Sequence, residues 1–578
     1  MTNQNLIKIL ENISFLLELK GENKFKILTY KKAIEIIEDN DMDIENLVLN
    51  NELKNVIGFG EALVSKIQEF VKTGKIDFYE KLKIEYPESL CEINKIKGLG
   101  VVKIRFLYDI LKITNISELS IAIENGQLSN VKGFTEKLIN QIKKGIENII
   151  TYSSKTYYHL ALDEANEIIE NIKSIGYNKV RLVGDIPMFE NEIDKIEIII
   201  GLDSVNLFDF NHLKSNLIFY QLEELENPLF YKFYVSKAKS GIKIELGICD
   251  NQKFELLYHN LNCKDNYFET LKEFIKYSGY QLEKDKFIDN LDNEIFISNE
   301  LELYKNIGFS FVNKENRIDS QAVEFAQKYI LPQTVNLNDL KGMLHCHSNW
   351  SDGRNSLREM ALATKKLGYE YFGICDHSKT ASYANGLSIE RVLEQHYEID
   401  KLNSENLGIR IIKGIESDIL PDGSLDYPDE ILEKFDFVVA SVHSSFNMEL
   451  NEMTERVNKA ISNKYTTILG HPTGRLILKR EAYKIDLDEI IRTSAEFGKV
   501  IEINSNPYRL DFDYNWSRIA KAKGVKLAIN PDAHNINGLK HNQYGVLSAK
   551  KAWLTKSDVI NTLSCNEFLN FSKILRNK

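Results

Sequence analysis

Through residues 1–150 the apolar positions recur at helical spacing, over 6–18, 25–37, 63–72 and 104–111, and no stretch alternates as a strand would. This pattern predicts an all-helical region. One motif repeats within it. Val56-Ile57-Gly58-Phe59-Gly60 and Ile96-Lys97-Gly98-Leu99-Gly100 each lead into a helical stretch, and Val131-Lys132-Gly133-Phe134-Thr135 is a weaker third copy. An apolar-x-Gly-apolar-Gly turn that opens a helix is the helix-hairpin-helix signature. Its glycines permit the tight turn, and the amides that follow can meet a phosphate. A plain helix–turn–helix connection would use glycine too, but the repetition favours binding of a nucleic-acid backbone, with Gly58, Gly60, Gly98 and Gly100 as contact positions.

Residues 151–312 change character. A helical stretch over 160–175 is followed by strand patterns at 180–183, 195–200 and 242–248, and residues 313–338 read as a polar linker. From residue 339 the alternation becomes regular. Strand patterns at 343–347, 371–375, 409–415, 437–442, 466–469, 499–503 and 526–529 alternate with helical stretches such as 356–367, 389–402, 453–462 and 487–497. Strand–helix units in unbroken succession predict a (βα)7 barrel, whose chemistry sits at the C-terminal ends of the strands. The chain is thus expected to be multidomain α/β, divided as 1–150, 151–312, the linker 313–338, and 339–578.

With 578 residues, 43% apolar content and 27% charged residues, the composition is that of a globular protein too long for one core. No apolar run approaches the ~20 residues of a membrane span. The N-terminus lacks the layout of a signal peptide, and the six cysteines form no CxxC pair. A cytoplasmic protein without membrane partners is expected. The net charge of −11 argues against indiscriminate coating of nucleic acid but leaves local phosphate contacts open.

Chemistry concentrates in the last region. Of 11 histidines, six fall at strand ends there: His345, His347, His377, His443, His471 and His534. Asp352, Glu416 and Asp532 share these strand ends. Imidazoles and carboxylates gathered at one rim suit a cluster of divalent cations. Asp376 reads as a supporting partner or helix cap and is left outside the ligand set.

The motifs Leu344-His-Cys-His-Ser-Asn-Trp-Ser-Asp-Gly353, Ile374-Cys-Asp-His-Ser378, Gly414-Ile-Glu-Ser-Asp418, Ala440-Ser-Val-His-Ser444, Gly470-His-Pro-Thr-Gly-Arg475 and Asn530-Pro-Asp-Ala-His534 resemble the PHP phosphoesterase domain. More narrowly, they are similar to the version fused to bacterial family X DNA polymerases. That resemblance covers the whole chain. It implies an α+β nucleotidyltransferase-like (polymerase beta-like) middle and a three-metal cluster. His345, His347, Glu416 and Asp532 would hold one ion, Glu416, His443 and His471 a second, and Asp352, His377 and His534 a third. The resemblance favours Mn²⁺, while the donor set also suits Zn²⁺ or Fe²⁺. Arg475 and Arg509 are candidate phosphate clamps, with surface salt bridges as the competing reading.

The middle region departs from this family. Family X polymerases hold two Mg²⁺ ions with Asp-x-Asp and a third Asp after a Gly-Ser turn. Here the turn carries Asp185, the ungapped acid positions carry Lys195 and Glu197, and the third carries Glu245. A lysine at the first position repels the ion a carboxylate would bind. Pro187 and Met188 stand where basic residues would hold a triphosphate. A shifted register would use Glu192 and Asp194. The expectation is a phosphodiester hydrolase acting on DNA ends, gaps or single strands, a 3′→5′ exonuclease in repair, with a degenerate polymerase scaffold. The alternatives are an active bifunctional polymerase, or a DNA-binding protein whose barrel cleaves a small phosphomonoester.

Overall fold

A computed structural model of the chain describes residues 3–577 apart from 41–43, 57, 130, 153, 206–207, 217–221 and 239–240. Two compact units emerge, Met1–Ser153 and Ser154–Lys578.

The first unit is helical, as its apolar spacing predicts. Its helices include α1 (Asn3–Lys20), α2 (Lys24–Asn40), α3 (Glu61–Thr73), α4 (Val101–Asp109) and α5 (Glu136–Tyr152). On α3 the buried positions Leu63, Val64, Ile67 and Phe70 form one stripe, joined in a single core by Leu10, Leu16, Ile104 and Ile142. The first glycine of each repeated motif takes a left-handed backbone, with φ of 97° at Gly58, 94° at Gly98 and 94° at Gly133. A side chain there would cost about 1–2 kcal/mol, so these glycines serve the turn. Ile57 of the first copy lies outside the described residues.

In the second unit, α6 (Tyr158–Ser174) covers a mixed sheet of β1 (Val180–Val183), β2 (Lys195–Leu202), β3 (Glu223–Leu225), β4 (Lys232–Lys237) and β5 (Lys243–Asp250), ordered β1-β2-β5-β4-β3. β2 and β5 run parallel in register, placing Lys195 opposite Lys243 and Glu197 opposite Glu245. Next come α7 (Asn251–Leu261), α8 (Asp265–Tyr277) and α9 (Ser320–Gln327). The stretch 313–338, read from its polarity as a linker, is packed instead. Ala322, Val323 and Ala326 of α9 are buried with Phe268 and Leu271 of α8, and Asn316 donates to the Lys550 carbonyl at 2.8 Å. Its apolar stripe is only three small residues wide, too faint to stand out from the surrounding polar positions.

Seven parallel strands follow: β6 (Gly342–Cys346), β7 (Tyr371–Ile374), β8 (Arg410–Asp418), β9 (Phe437–Ser441), β10 (Ile468–Leu469), β11 (Val500–Asn504) and β12 (Leu527–Asn530). They neighbour one another in chain order, and a parallel bridge between Cys346 and Ala533 brings the first strand to the last. The sheet is a near-closed (βα)7 barrel, as the alternation predicts. Its strands are buried on both faces, which is why they read as apolar runs. Helices including α10 (Leu357–Lys366), α11 (Ile389–Ser404), α12 (Leu450–Ser462) and α13 (Leu487–Phe497) alternate with them.

The barrel interior is tightly packed, with Phe437 among Leu344, Tyr371, Ile412, Val439 and Phe568. Phe437 is fully buried, and side chains built on Gly373 and Gly414 would come within 2.7 and 2.4 Å of its Cζ. On Gly414 the added carbon would also meet the Ile374 carbonyl oxygen at 2.5 Å, and backbone cannot swing away. Gly414→Ala is therefore expected to destabilise the barrel by about 1–3 kcal/mol through overpacking. Urea unfolding should show a lower midpoint at unchanged slope; an unchanged midpoint would refute this packing account.

Candidate metal centre at the barrel rim

All nine residues read from the strand ends converge at one end of the barrel. Glu416, 1% exposed near the end of β8, lies at the centre. His345 Nε2, His443 Nε2 and His471 Nε2 approach its Oε1 at 3.2, 3.2 and 3.0 Å. His347 Nε2 and His377 Nδ1 approach its Oε2 at 3.6 and 3.0 Å. Asp532 Oδ1 stands 3.7 Å from His345 Nε2 and 3.2 Å from His347 Nε2. At the more open side, Asp352 lies 3.7 Å from His377 Nε2 and 3.5 Å from His534 Nε2.

Three imidazoles are oriented by the nitrogen that faces away. The Nδ1–H of His345 donates to Glu502 Oε1 at 2.6 Å, that of His443 to Asp418 Oδ1 at 2.6 Å, and that of His534 to the Asp532 carbonyl at 3.0 Å. Each bond fixes the tautomer, so Nε2 presents a lone pair inward. Buried polar atoms without a hydrogen-bond partner then accumulate at the centre: Nε2 of His345, Nε2 of His347, Nδ1 of His377 and Oε2 of Glu416. Leaving such atoms bare costs roughly 1–3 kcal/mol each, and divalent cations are ligands that accept imidazole and carboxylate lone pairs together. The donor set fits a multi-metal site. Ligand atoms that lie mutually within 4.8 Å form three groups: His347, Asp352, His377 and His534; His345, His347 and Asp532; and His377, Glu416 and His443.

Without cations the surrounding acids favour protonated imidazoles at several of these positions, and bound cations would take the place of those protons. Burial opposes protonation of His345, but Glu502, Glu416 and Asp532 outweigh it and raise its pKa well above the usual value. His443 is raised to about 10, burial being outweighed by Glu416 and Asp418, and His534 to about 9, mainly by Asp352. His347 goes the other way. Burial and the neighbouring His534 and His377 lower it to about 3, leaving it a neutral donor. Burial would raise Glu416, yet His443, His345 and His377 hold it well below the carboxylate range.

Backbone strain coincides with the cluster. His345, His471 and Asp532 have φ of 57°, 23° and 48°, in the left-handed region. The ladder of β6 is irregular between Met343 and Cys346, so His345 and His347 converge through a distorted strand end rather than through simple alternation.

Other expectations fare differently. Asp376 is a supporting residue, accepting from Ser348 Oγ at 2.6 Å, Ser351 Oγ at 2.5 Å and Gln395 Nε2 at 2.6 Å. Arg509 reaches the cluster, its Nε 3.5 Å from Asp532 Oδ2. Arg475, expected as a second clamp, is instead a brace. Its Nε donates to the Arg509 carbonyl at 3.0 Å and its Nη2 to the Leu510 carbonyl, holding the turn that carries Arg509. Sequence reading missed Glu502 and Asp418. Signals existed: a carboxylate inside the buried run Val500–Asn504, and an acid two positions after Glu416 on the same strand.

In the mixed sheet, the in-register pairing of β2 with β5 brings Lys195, Glu197 and Glu245 together. Lys195 Nζ lies 2.8 Å from Glu197 Oε1 and 3.1 Å from Glu245 Oε2, and Lys243 Nζ lies 2.5 Å from Glu245 Oε1. Glu197 abuts Gly184, where an added carbon would come within 1.9 Å of its Oε2. Asp185 is paired with Lys264 at 2.9 Å. Glu192, the acid of the shifted register, lies on a short strand paired with Thr156–Tyr157 and bonds Lys155 at 2.8 Å, outside the sheet that carries Glu197 and Glu245.

In the helical unit the second glycines, Gly60 and Gly100, precede the first residues of α3 and α4 with ordinary extended φ of −77° and −83°. Side chains added there would meet nothing within 4 Å. Neither turn geometry nor packing requires glycine at these two positions; its absence of a side chain leaves the helix amides open to approach. The third copy has Thr135 instead, whose Oγ1 accepts from the Leu138 amide at 3.3 Å.

Comparison with known proteins gives concordant matches. Residues 1–76 match the family described as Helix-hairpin-helix domain, and residues 343–506 match the PHP domain. The chain is 32% identical over 581 residues to a Bacillus subtilis protein named DNA polymerase/3′-5′ exonuclease PolX, covering 99% of this chain and 100% of that one. A probable phosphatase of Thermoanaerobacter sp. is 36% identical over 167 residues, 27% of this chain and 65% of the relative. A probable phosphatase of Acetivibrio thermocellus is 30% identical over 191 residues, 31% of this chain and 73% of the relative.

Proposed function

The chain belongs to the PolX family with a C-terminal PHP domain, and on that premise we propose that this hydrolytic enzyme is a metal-dependent 3′→5′ exonuclease that trims DNA ends in repair. The single observation that carries the reading is the rim around Glu416, where imidazoles are locked with their lone pairs inward. It rests also on the name of the Bacillus subtilis relative. The ligand partition is the one the resemblance implies. His345, His347, Glu416 and Asp532 would hold one ion, Glu416, His443 and His471 a second, and Asp352, His377 and His534 a third. Mn²⁺ is the proposed activating ion, with Zn²⁺ and Fe²⁺ chemically acceptable to the same donors. Bound divalent ions would supply water activation at neutral pH and neutralise charge building on phosphate oxygens. Arg509, beside Asp532, stands where its guanidinium can meet a phosphate oxygen. The open amides after Gly60 and Gly100 support binding of the DNA backbone.

The middle domain is proposed to have lost nucleotidyl transfer. What supports this is the ammonium of Lys195, which sits between Glu197 and Glu245 where a polymerase would need a divalent ion. Its partners are already neutralised, and a second cation would be repelled. Cytoplasmic residence is part of the proposal. All six cysteines are unpaired, and no helix among the described residues is long and apolar enough to cross a membrane.

One experiment separates the readings. With Mn²⁺, a 5′-labelled single strand should shorten stepwise from its 3′ end, whereas a gapped primer–template with dNTPs should show no extension. Extension would restore the bifunctional polymerase reading. Turnover of a nucleoside monophosphate with intact oligonucleotide would favour the phosphomonoesterase reading that the two probable phosphatases suggest.

A further inference from the structure

Beside the metal cluster the barrel presents an aromatic ring to solvent. Tyr383 is 70% exposed, and its ring centroid lies 6.2 Å from that of His377 at an interplanar angle of 57°. The loop that carries it is firmly tied. Ser378 donates to the Glu416 carbonyl at 3.0 Å, Thr380 to Asp426 Oδ2 at 2.7 Å, Leu387 to the His377 carbonyl at 2.8 Å, and Arg391 Nη1 to the Asn385 carbonyl at 2.8 Å. Two backbone features show how tightly the loop turns and packs. Asn385 takes a left-handed φ of 53°, and a side chain on Gly386 would come within 1.9 Å of the Ser378 carbonyl oxygen. The ring is therefore displayed beside the cluster on a loop held by these hydrogen bonds.

We propose that Tyr383 is the stacking platform for the base of the terminal nucleotide, seating its 3′-end phosphodiester at the cluster. The proposal rests on the exonuclease reading above. The chemistry is sequence-tolerant, because every base offers a π-face, and stacking on an aromatic side chain contributes substantially to single-strand binding. An end-trimming enzyme needs that tolerance, since successive rounds present different bases. A phosphate-binding hydroxyl is the contrasting role for the same residue, and phenylalanine distinguishes the two.

The test uses the full chain loaded with Mn²⁺ and two 5′-labelled oligonucleotides, one ending in thymidine and one in an abasic residue. Wild-type protein should show a KM on the order of tenfold lower for the thymidine end. Tyr383→Ala should raise that KM by a similar factor and erase the difference between the two ends, while Tyr383→Phe and Tyr383→Trp keep it. The comparison is a cycle in which base and ring are deleted separately and together. Retention of the preference in Tyr383→Ala, its absence in wild type, or its loss in Tyr383→Phe would overturn stacking while leaving the exonuclease reading intact. If wild-type protein shortens neither oligonucleotide yet hydrolyses a nucleoside monophosphate, the exonuclease reading fails and the platform falls with it.

Discussion

Glu416→Gln should reduce metal-dependent hydrolysis by more than ~100-fold, the largest loss expected of any single substitution in the chain. The reason is crowding around one carboxylate. Five imidazoles lie within 3.6 Å of its two oxygens. Replacing one oxygen by an amide removes negative charge where divalent ions are proposed to meet, and it points two N–H donors at nitrogens that should be presenting lone pairs. Supporting residues around metal sites cost ~10–100-fold when changed, so a shared ligand should cost more. Steady-state turnover of a labelled strand, together with Mn²⁺ binding by calorimetry, provides the check. Activity within tenfold of wild type would exclude Glu416 as a shared ligand.

Glu502→Gln is the second large effect, and it acts without contact to substrate. The Glu502 carboxylate receives three donors: His345 Nδ1–H at 2.6 Å, Asn530 Nδ2 at 3.1 Å and the His471 amide at 2.7 Å. A glutamine offers one accepting oxygen, so a buried N–H must face the new NH2. Either His345 loses its tautomer lock or the turn at His471 shifts. Leaving a buried donor unsatisfied costs about 1–3 kcal/mol of folding stability. Mn²⁺ affinity should fall ~10–100-fold, with activity partly recovered at high Mn²⁺. An Mn²⁺ dependence identical to wild type would show that His345 does not need Glu502 to present Nε2.

Much of the rim was legible in the sequence because parallel strands buried on both faces leave little ambiguity. An apolar run that ends in histidine, aspartate or glutamate has its polar end at the barrel mouth, and six such runs, with the loop after the first, place nine residues together. Glu502 and Asp418 escaped notice because they lie inside runs whose surroundings suggest packing. Only the fold shows which imidazole each one faces. Arg475 misled for the opposite reason, since a guanidinium near a phosphate site and one spent on backbone carbonyls look alike in sequence. The middle sheet was partly legible. β2 and β5 stood out as isoleucine-rich runs, while β4, Lys232–Lys237, is half-exposed and carries little periodic signal. The identity of Lys195 raised the question of polymerase loss, but its position between two glutamates emerges only from strand register.

The left-handed backbones of His345, His471 and Asp532 have a consequence for how this barrel can change over time. Each holds a side chain where glycine or asparagine would sit at lower energy, a penalty of order 1–3 kcal/mol per residue that only function justifies. Selection for activity therefore opposes selection for robustness at these three positions. If the chemistry ceased to matter, drift toward glycine and asparagine would make the barrel sturdier as it fell silent. The rim would then fade first at its strained corners, with the fold outlasting the activity.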